Sequence, residues 1–203
     1  MMARRTQRPA THRFADTPPE AFIREPPRIG PVTRAWNSMV DREVHQRFVP
    51  GRLMAWDPRT AFSWVAGSLY WLLPAGKARK TLGERIQNMV AVTAAYTVGS
   101  PYCIADAVES EPTGLTDAEL ETIRTVADPS VTPSFSRRER LAITYARLVS
   151  ATPLEFPDGF VSELTEAFTE QEIVILAALA AEVNRNARLF EALGAPPPVY
   201  GPA

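Results

Sequence analysis

One cysteine, two histidines and a net charge of −1 deprive this 203-residue chain of the marks of several common functions. The lone Cys103 cannot form an internal disulfide, so the composition suits a reducing, cytoplasmic setting. His12 lies near the N-terminus and His45 falls on the polar side of an expected helix. That leaves no metal-ligand spacing, and neither a metal nor another cofactor is expected. With 22 basic against 23 acidic residues, nothing draws the chain to nucleic acid or to an anionic membrane. A Gly-rich phosphate loop and a dinucleotide fingerprint are both missing. Two uncharged runs, residues 60–76 and 86–105, raise the question of a membrane span. The first holds Gly67 and Pro74, and the second holds Gln87, Asn88 and a break at Gly99. Spanning takes about 20 predominantly apolar residues, so both read as core or subunit-interface helices.

What is present points to one helical core. Hydrophobic residues make up 45% of the chain, enough for a single domain. Residues 1–30 are rich in Pro and Arg and read as an extended arm. Arg4, Arg5, Arg8 and Arg13 there have no apolar run beside them, unlike a signal peptide. Residues 31–198 form the domain and 199–203 a tail.

Apolar spacing predicts a helix over 32–48, ended by Pro50-Gly51, and another opened by Asp57-Pro58 and stopped at Pro74. A helix over 82–98 follows, then a short one from Ser100. Thr116…Glu119, Ser136…Glu139 and Thr169…Glu172 are capping boxes, each a hydroxyl followed three residues later by a carboxylate. Pro157-Asp158 opens a further helix running through 168, and Gly194 stops the last one. No strand-like alternation occurs anywhere. The fold class is all-α, with about eight helices.

The candidate site lies at the sharpest turn, Gly99-Ser100-Pro101-Tyr102-Cys103. Ser is a good N-cap and Pro suits the first helical position, which places Cys103 in the first turn of a new helix. Free amide groups and the helix dipole there favour a thiolate. Asp106 shares a helix face with Cys103 and could supply an acid or base one turn along. Glu84 and Asn88 are four apart on the preceding helix, and Asn88 is a polar group in an apolar run that needs partners. Asn184 and Arg188 repeat that spacing on the last helix, as a structural pair or with Arg188 binding a substrate carboxylate. Trp64, Tyr70, Trp71, Tyr96 and Tyr102 could wall an apolar ligand pocket or simply pack the core.

The order of these elements resembles the carboxymuconolactone decarboxylase-like superfamily, which includes the AhpD alkylhydroperoxidases. The likeness covers roughly residues 28–198. It rests on the unit at 82–107 and on the closing stretch FPDGFVSELTEAFTEQEIVILAALAAEVNRNARLFEALGAPPP. The resemblance implies an AhpD-like helical domain in a homo-oligomer, a trimer or a multiple of one. The peroxidase branch is similar to a pattern of Glu, Cys-x-x-Cys and a His four residues later. Here those positions hold Asn88, Ser100, Cys103 and Ala107. A dithiol peroxidase needs one thiolate to attack and another to resolve the sulfenic acid, and with Ser100 in place of the resolving or attacking thiol no intramolecular disulfide can form.

The expectation is therefore an enzyme acting on a small organic molecule by lyase- or isomerase-type proton chemistry. Cys103, Asp106, Glu84 and Ser100 are its catalytic candidates, and Asn88, Tyr96, Tyr102 and Arg188 its substrate-binding ones. A single-cysteine hydroperoxidase and a non-catalytic small-molecule-binding protein are the alternatives.

Overall fold

The computed structural model describes residues 23–43, 48–72, 81–109, 113–125, 129 and 134–198. His12, most of the expected arm, His45, the stop at Pro74 and the tail lie outside them, as do the side chains of Tyr70 and Trp71. Nine helices run through the described residues, with no strand among them: α1 (Pro31–Glu43), α2 (Val49–Met54), α3 (Pro58–Leu72), α4 (Glu84–Val98), α5 (Pro101–Glu109), α6 (Asp117–Arg124), α7 (Arg137–Ser150), α8 (Phe160–Ala167) and α9 (Glu170–Ala192).

The long helices α4, α7 and α9 pack on one another and form the middle of the molecule. α4 serves two cores because it is apolar on two sides. Met89, Val92 and Ala95 join Val40, Phe48, Trp64, Tyr102, Cys103 and Phe190 in one cluster. Val90 joins Leu141, Ala146, Leu164, Leu176 and Ala180 in the other. A helix that is apolar around much of its girth belongs inside the fold, and no described helix is long and apolar enough to cross a membrane.

All three capping boxes form as the sequence predicts, each with the hydroxyl accepting from the N3 amide and the N3 glutamate accepting from the cap amide. Each glutamate also takes an arginine. Arg85 reaches Glu139 at 2.7 Å and Glu119 at 2.6 Å, so one side chain joins the starts of α6 and α7. Arg138 reaches Glu172 at 2.7 Å and lies over the Phe168 ring.

Several boundaries differ from expectation. Pro50 and Gly51 do not end a helix; they lie inside the six-residue α2. Proline is tolerated in a first turn, where its missing N–H has no partner to lose. Gly51 is there for clearance, since a Cβ would stand 2.7 Å from both Asn37 Oδ1 and the Phe48 ring. α4 starts at Glu84 rather than Leu82, because Gly83 takes φ +85° and sets the chain into the helix. α8 starts at Phe160 and stops at Ala167, after Gly159 turns with φ +80° and before Phe168 becomes extended. Ahead of α1, residues 23–30 form no helix, and Trp56 Nε1 donates to the Arg24 carbonyl at 2.7 Å.

Candidate functional site

α4 ends where Gly99 adopts φ +74° and its amide bonds the Ala95 carbonyl at 3.0 Å. The left-handed turn needs glycine, and it aims the chain straight into α5. Ser100, 1% exposed, caps the new helix: its Oγ accepts from the Cys103 amide at 3.4 Å and donates to Glu191 Oε1 at 2.9 Å. One hydroxyl thus starts α5 and fastens it to the end of α9.

Cys103 is 7% exposed within the first core. Burial pushes its thiol up from 9.0 to about 12; the Ser100 hydrogen bond opposes this, and the charges of Asp106, Glu191 and Glu182 add to it. The helix start was expected to favour a thiolate. It does not prevail, because a dipole contributes at most about 2 kcal/mol, whereas a rise of that size disfavours the thiolate by about 4 kcal/mol. At neutral pH Cys103 is a protonated thiol.

Tyr102, 2% exposed, packs edge-on against Phe190 at 4.9 Å and Phe48 at 6.4 Å. Its phenol is raised by burial first, then by the charges of Asp106, Cys103 and Asp41. Asp106 is half-buried on the same helix, and its charge acts on both neighbours. Ser100, Tyr102, Cys103 and Asp106 are therefore together at the start of α5.

The other candidates are spread more widely. Asn88 is half-buried and donates to the Thr113 carbonyl at 3.2 Å, so it holds the turn before α6. Glu84 is exposed one turn earlier. Tyr96 is half-buried, and burial raises its phenol, with Arg124 opposing and Glu121 and Glu109 adding. Arg188 is exposed and does not pair with Asn184, which donates instead to the Val149 carbonyl at 3.3 Å. Among the described residues no group of three or more His, Cys, Asp or Glu could hold a metal ion.

Sequence reasoning missed a polar network between α3 and α9. Trp64 Nε1 donates to Asn186 Oδ1 at 2.8 Å, and Ser68 Oγ to Glu182 Oε1 at 2.8 Å. Asn186 Nδ2 also reaches Glu182 at 3.3 Å, and Arg185 reaches Ser68 at 2.9 Å while lying over Gly67. Glu182 and Asn186, four apart on an apolar helix, were the available signal. A separate open groove of about 410 Å³, lined by Arg137, Arg140, Leu141, Thr144, Phe160 and Glu163 among others, contains none of the candidates.

Over 145 residues the chain is 30% identical to YnjA, an uncharacterized protein of Escherichia coli K12, covering 70% of this chain and 76% of that one. It belongs to the YnjA family. No family profile matches the sequence. Among solved structures, this YnjA-family chain is similar to an AhpD-core, peroxidase-related protein of Ralstonia eutropha JMP134. There the TM-score is 0.65 and the identity 16%, over 83% of this chain and 86% of that one. It is also similar to the debrominase Bmp8, with TM-score 0.66 and 15% identity over 80% and 84% of the two chains. A cysteine-to-alanine variant of Bmp8 in complex with 2,3,4-tribromopyrrole has TM-score 0.63 and 16% identity over 80% and 83%. At these identities the likeness establishes the fold: AhpD-like and all-helical.

Proposed function

We propose that this YnjA-family chain is an enzyme that acts on a small organic molecule by proton transfer at Cys103, in a lyase or isomerase reaction. The observation that carries the reading is the buried, protonated thiol with Asp106 on the same short helix. A thiol held near 12 is a poor nucleophile at neutral pH, but it can still protonate a carbanion, which is a far stronger base. In the proposed step the Asp106 carboxylate takes a proton from carbon, and the S–H of Cys103 delivers one to the carbanion formed. Asp106 then releases its proton to solvent and the Cys103 thiolate regains one from solvent, which restores both groups. Ser100 serves as cap and tether, its hydroxyl committed to Glu191.

The Bmp8 complex supports a small aromatic molecule as a ligand class on this fold. A homo-oligomer, a trimer or a multiple, belongs to the same proposal and is supported by apolar side chains such as Phe62, 70% exposed on α3. A solution mass of one 22.4 kDa chain would count against it.

The test is deuterium exchange. Small carbonyl compounds incubated with the protein in heavy water should incorporate label at carbon, and Cys103→Ala and Asp106→Asn should each abolish this. Exchange that persists in both variants sinks the assignment. Rapid formation of a sulfenic acid at Cys103 on mixing with a hydroperoxide would favour the single-cysteine peroxidase instead. A ligand that is recovered chemically unchanged, with no exchange, would favour a binding protein.

A further inference from the structure

Four buried polar atoms near the junction of α1, α2 and α5 have no hydrogen-bond partner among the described residues: Oδ1 and Nδ2 of Asn37, the Tyr102 hydroxyl and Nε of Arg52. Asn37 is 1% exposed and Tyr102 2%. Phe48 is their common neighbour, for its ring and Asn37 Oδ1 crowd the same corner above Gly51, and the ring meets Tyr102 edge-on. Asp41, one turn after Asn37, accepts from the Phe48 amide at 2.7 Å and pairs with the Arg52 guanidinium. Its charge reaches the Tyr102 phenol.

Natural folds rarely leave a fully buried carboxamide with neither end bonded, because an apolar side chain of the same shape would be more stable there. The chemistry of these four atoms narrows what would satisfy them. Arg52 and Asp41 cancel in charge, which favours a neutral group over an ion. Nδ2 and Nε offer donors, Oδ1 an acceptor, and the phenol either. A hydroxyl both donates and accepts. The surrounding wall is aromatic, with Phe48 stacked on Trp64 at 5.1 Å and Tyr102 against Phe190. We infer that Asn37, Tyr102 and Arg52 bind the hydroxyl of a neutral, phenol-type molecule, forming the polar end of the small-molecule site beside Cys103. This rests on the small-molecule reading above.

Phenol is the probe, with toluene lacking the hydroxyl and benzoate carrying a charge, titrated into the full chain by calorimetry and ligand-observed NMR. Phenol should bind saturably, and about tenfold more tightly than either comparison compound. Asn37→Leu and Tyr102→Phe should each weaken phenol by about tenfold and leave toluene unchanged, with near-ultraviolet circular dichroism confirming the fold. Tyr102→Phe removes only an oxygen, so it decides the matter if Asn37→Leu does not fold. Phenol that binds no better than toluene, or equally well to Tyr102→Phe, overturns the inference and leaves these atoms to ordered water. Binding is read without turnover, so saturable phenol binding by a chain that fails the exchange test would remove the catalytic reading and keep this one.

Discussion

Arg85 and Asn37 are both polar side chains that meet the ends of other helices, yet their surroundings differ completely. Every nitrogen of the Arg85 guanidinium has an acceptor: Nε on Glu139, Nη2 on Glu119 and Nη1 on the Gly114 carbonyl. Glu119, only 1% exposed, is equally well served, by Arg85, by Ser134 at 2.6 Å and by the Thr116 amide at 2.8 Å. Asn37 is as deeply buried and has none of this among the described residues. The first cluster completes itself from within the chain and fixes where α6 and α7 begin. The second leaves both ends of its carboxamide unbonded among the described residues.

The largest effect should come from breaking the closed cluster. Arg85→Ala strands Glu119 and Glu139 and should lower stability by about 3 kcal/mol, read from the urea midpoint at pH 7; the half-exposed guanidinium keeps this at the low end for a buried pair. Acid should do by titration what that substitution does by deletion. Hydrogen bonds from Ser134, Thr116 and Arg85 outweigh burial and hold Glu119 near 2, and Glu139 and Glu172 are also held below 4.5. Because these folded-state values are depressed, their contribution is complete above 4.5 and is lost as pH falls toward 2. The urea midpoint should decline over that window, and less steeply in Arg85→Ala.

A smaller change, Ser136→Ala, removes one half of a capping box and should lower stability by about 1 kcal/mol in the same assay. The comparison is sharpest at Asn37→Leu. Removing an unpartnered buried amide should raise stability by up to about 1 kcal/mol, opposite in sign to Arg85→Ala, while weakening phenol. A fall of several kcal/mol would mean that Asn37 is as fully bonded as Arg85.

Elements whose cause is local were legible in the sequence. The three capping boxes, the Asp57-Pro58 start, the Gly99 break and the Gly194 stop each depend on residues within a turn of one another. Pro50-Gly51 misled because proline and glycine carry two meanings, punctuation and clearance, and only Asn37 and Phe48 standing over Gly51 tell which applies. The site divides the same way. Ser100 as the cap beneath Cys103 was visible, but its tether Glu191 lies 91 residues on. Trp64 and Asn186 are 122 apart, and Arg85 and Glu139 are 54 apart. The state of the thiol was hidden for a related reason: sequence displays the helix start that would ionise it, and only packing displays the burial that prevents this.

The tether at Ser100 also limits how the site could be rebuilt. A second thiol at position 100 would stand three residues before Cys103, the spacing at which a disulfide could close across the first turn. Ser100→Cys, however, trades a hydroxyl that serves two bonds for a poor donor and acceptor, loosening both the start of α5 and its hold on the Glu191 carboxylate. A redox pair at this turn therefore calls for concerted change at positions 100 and 191, and a chain that has settled on the Ser100–Glu191 bond is separated from it by a less stable intermediate.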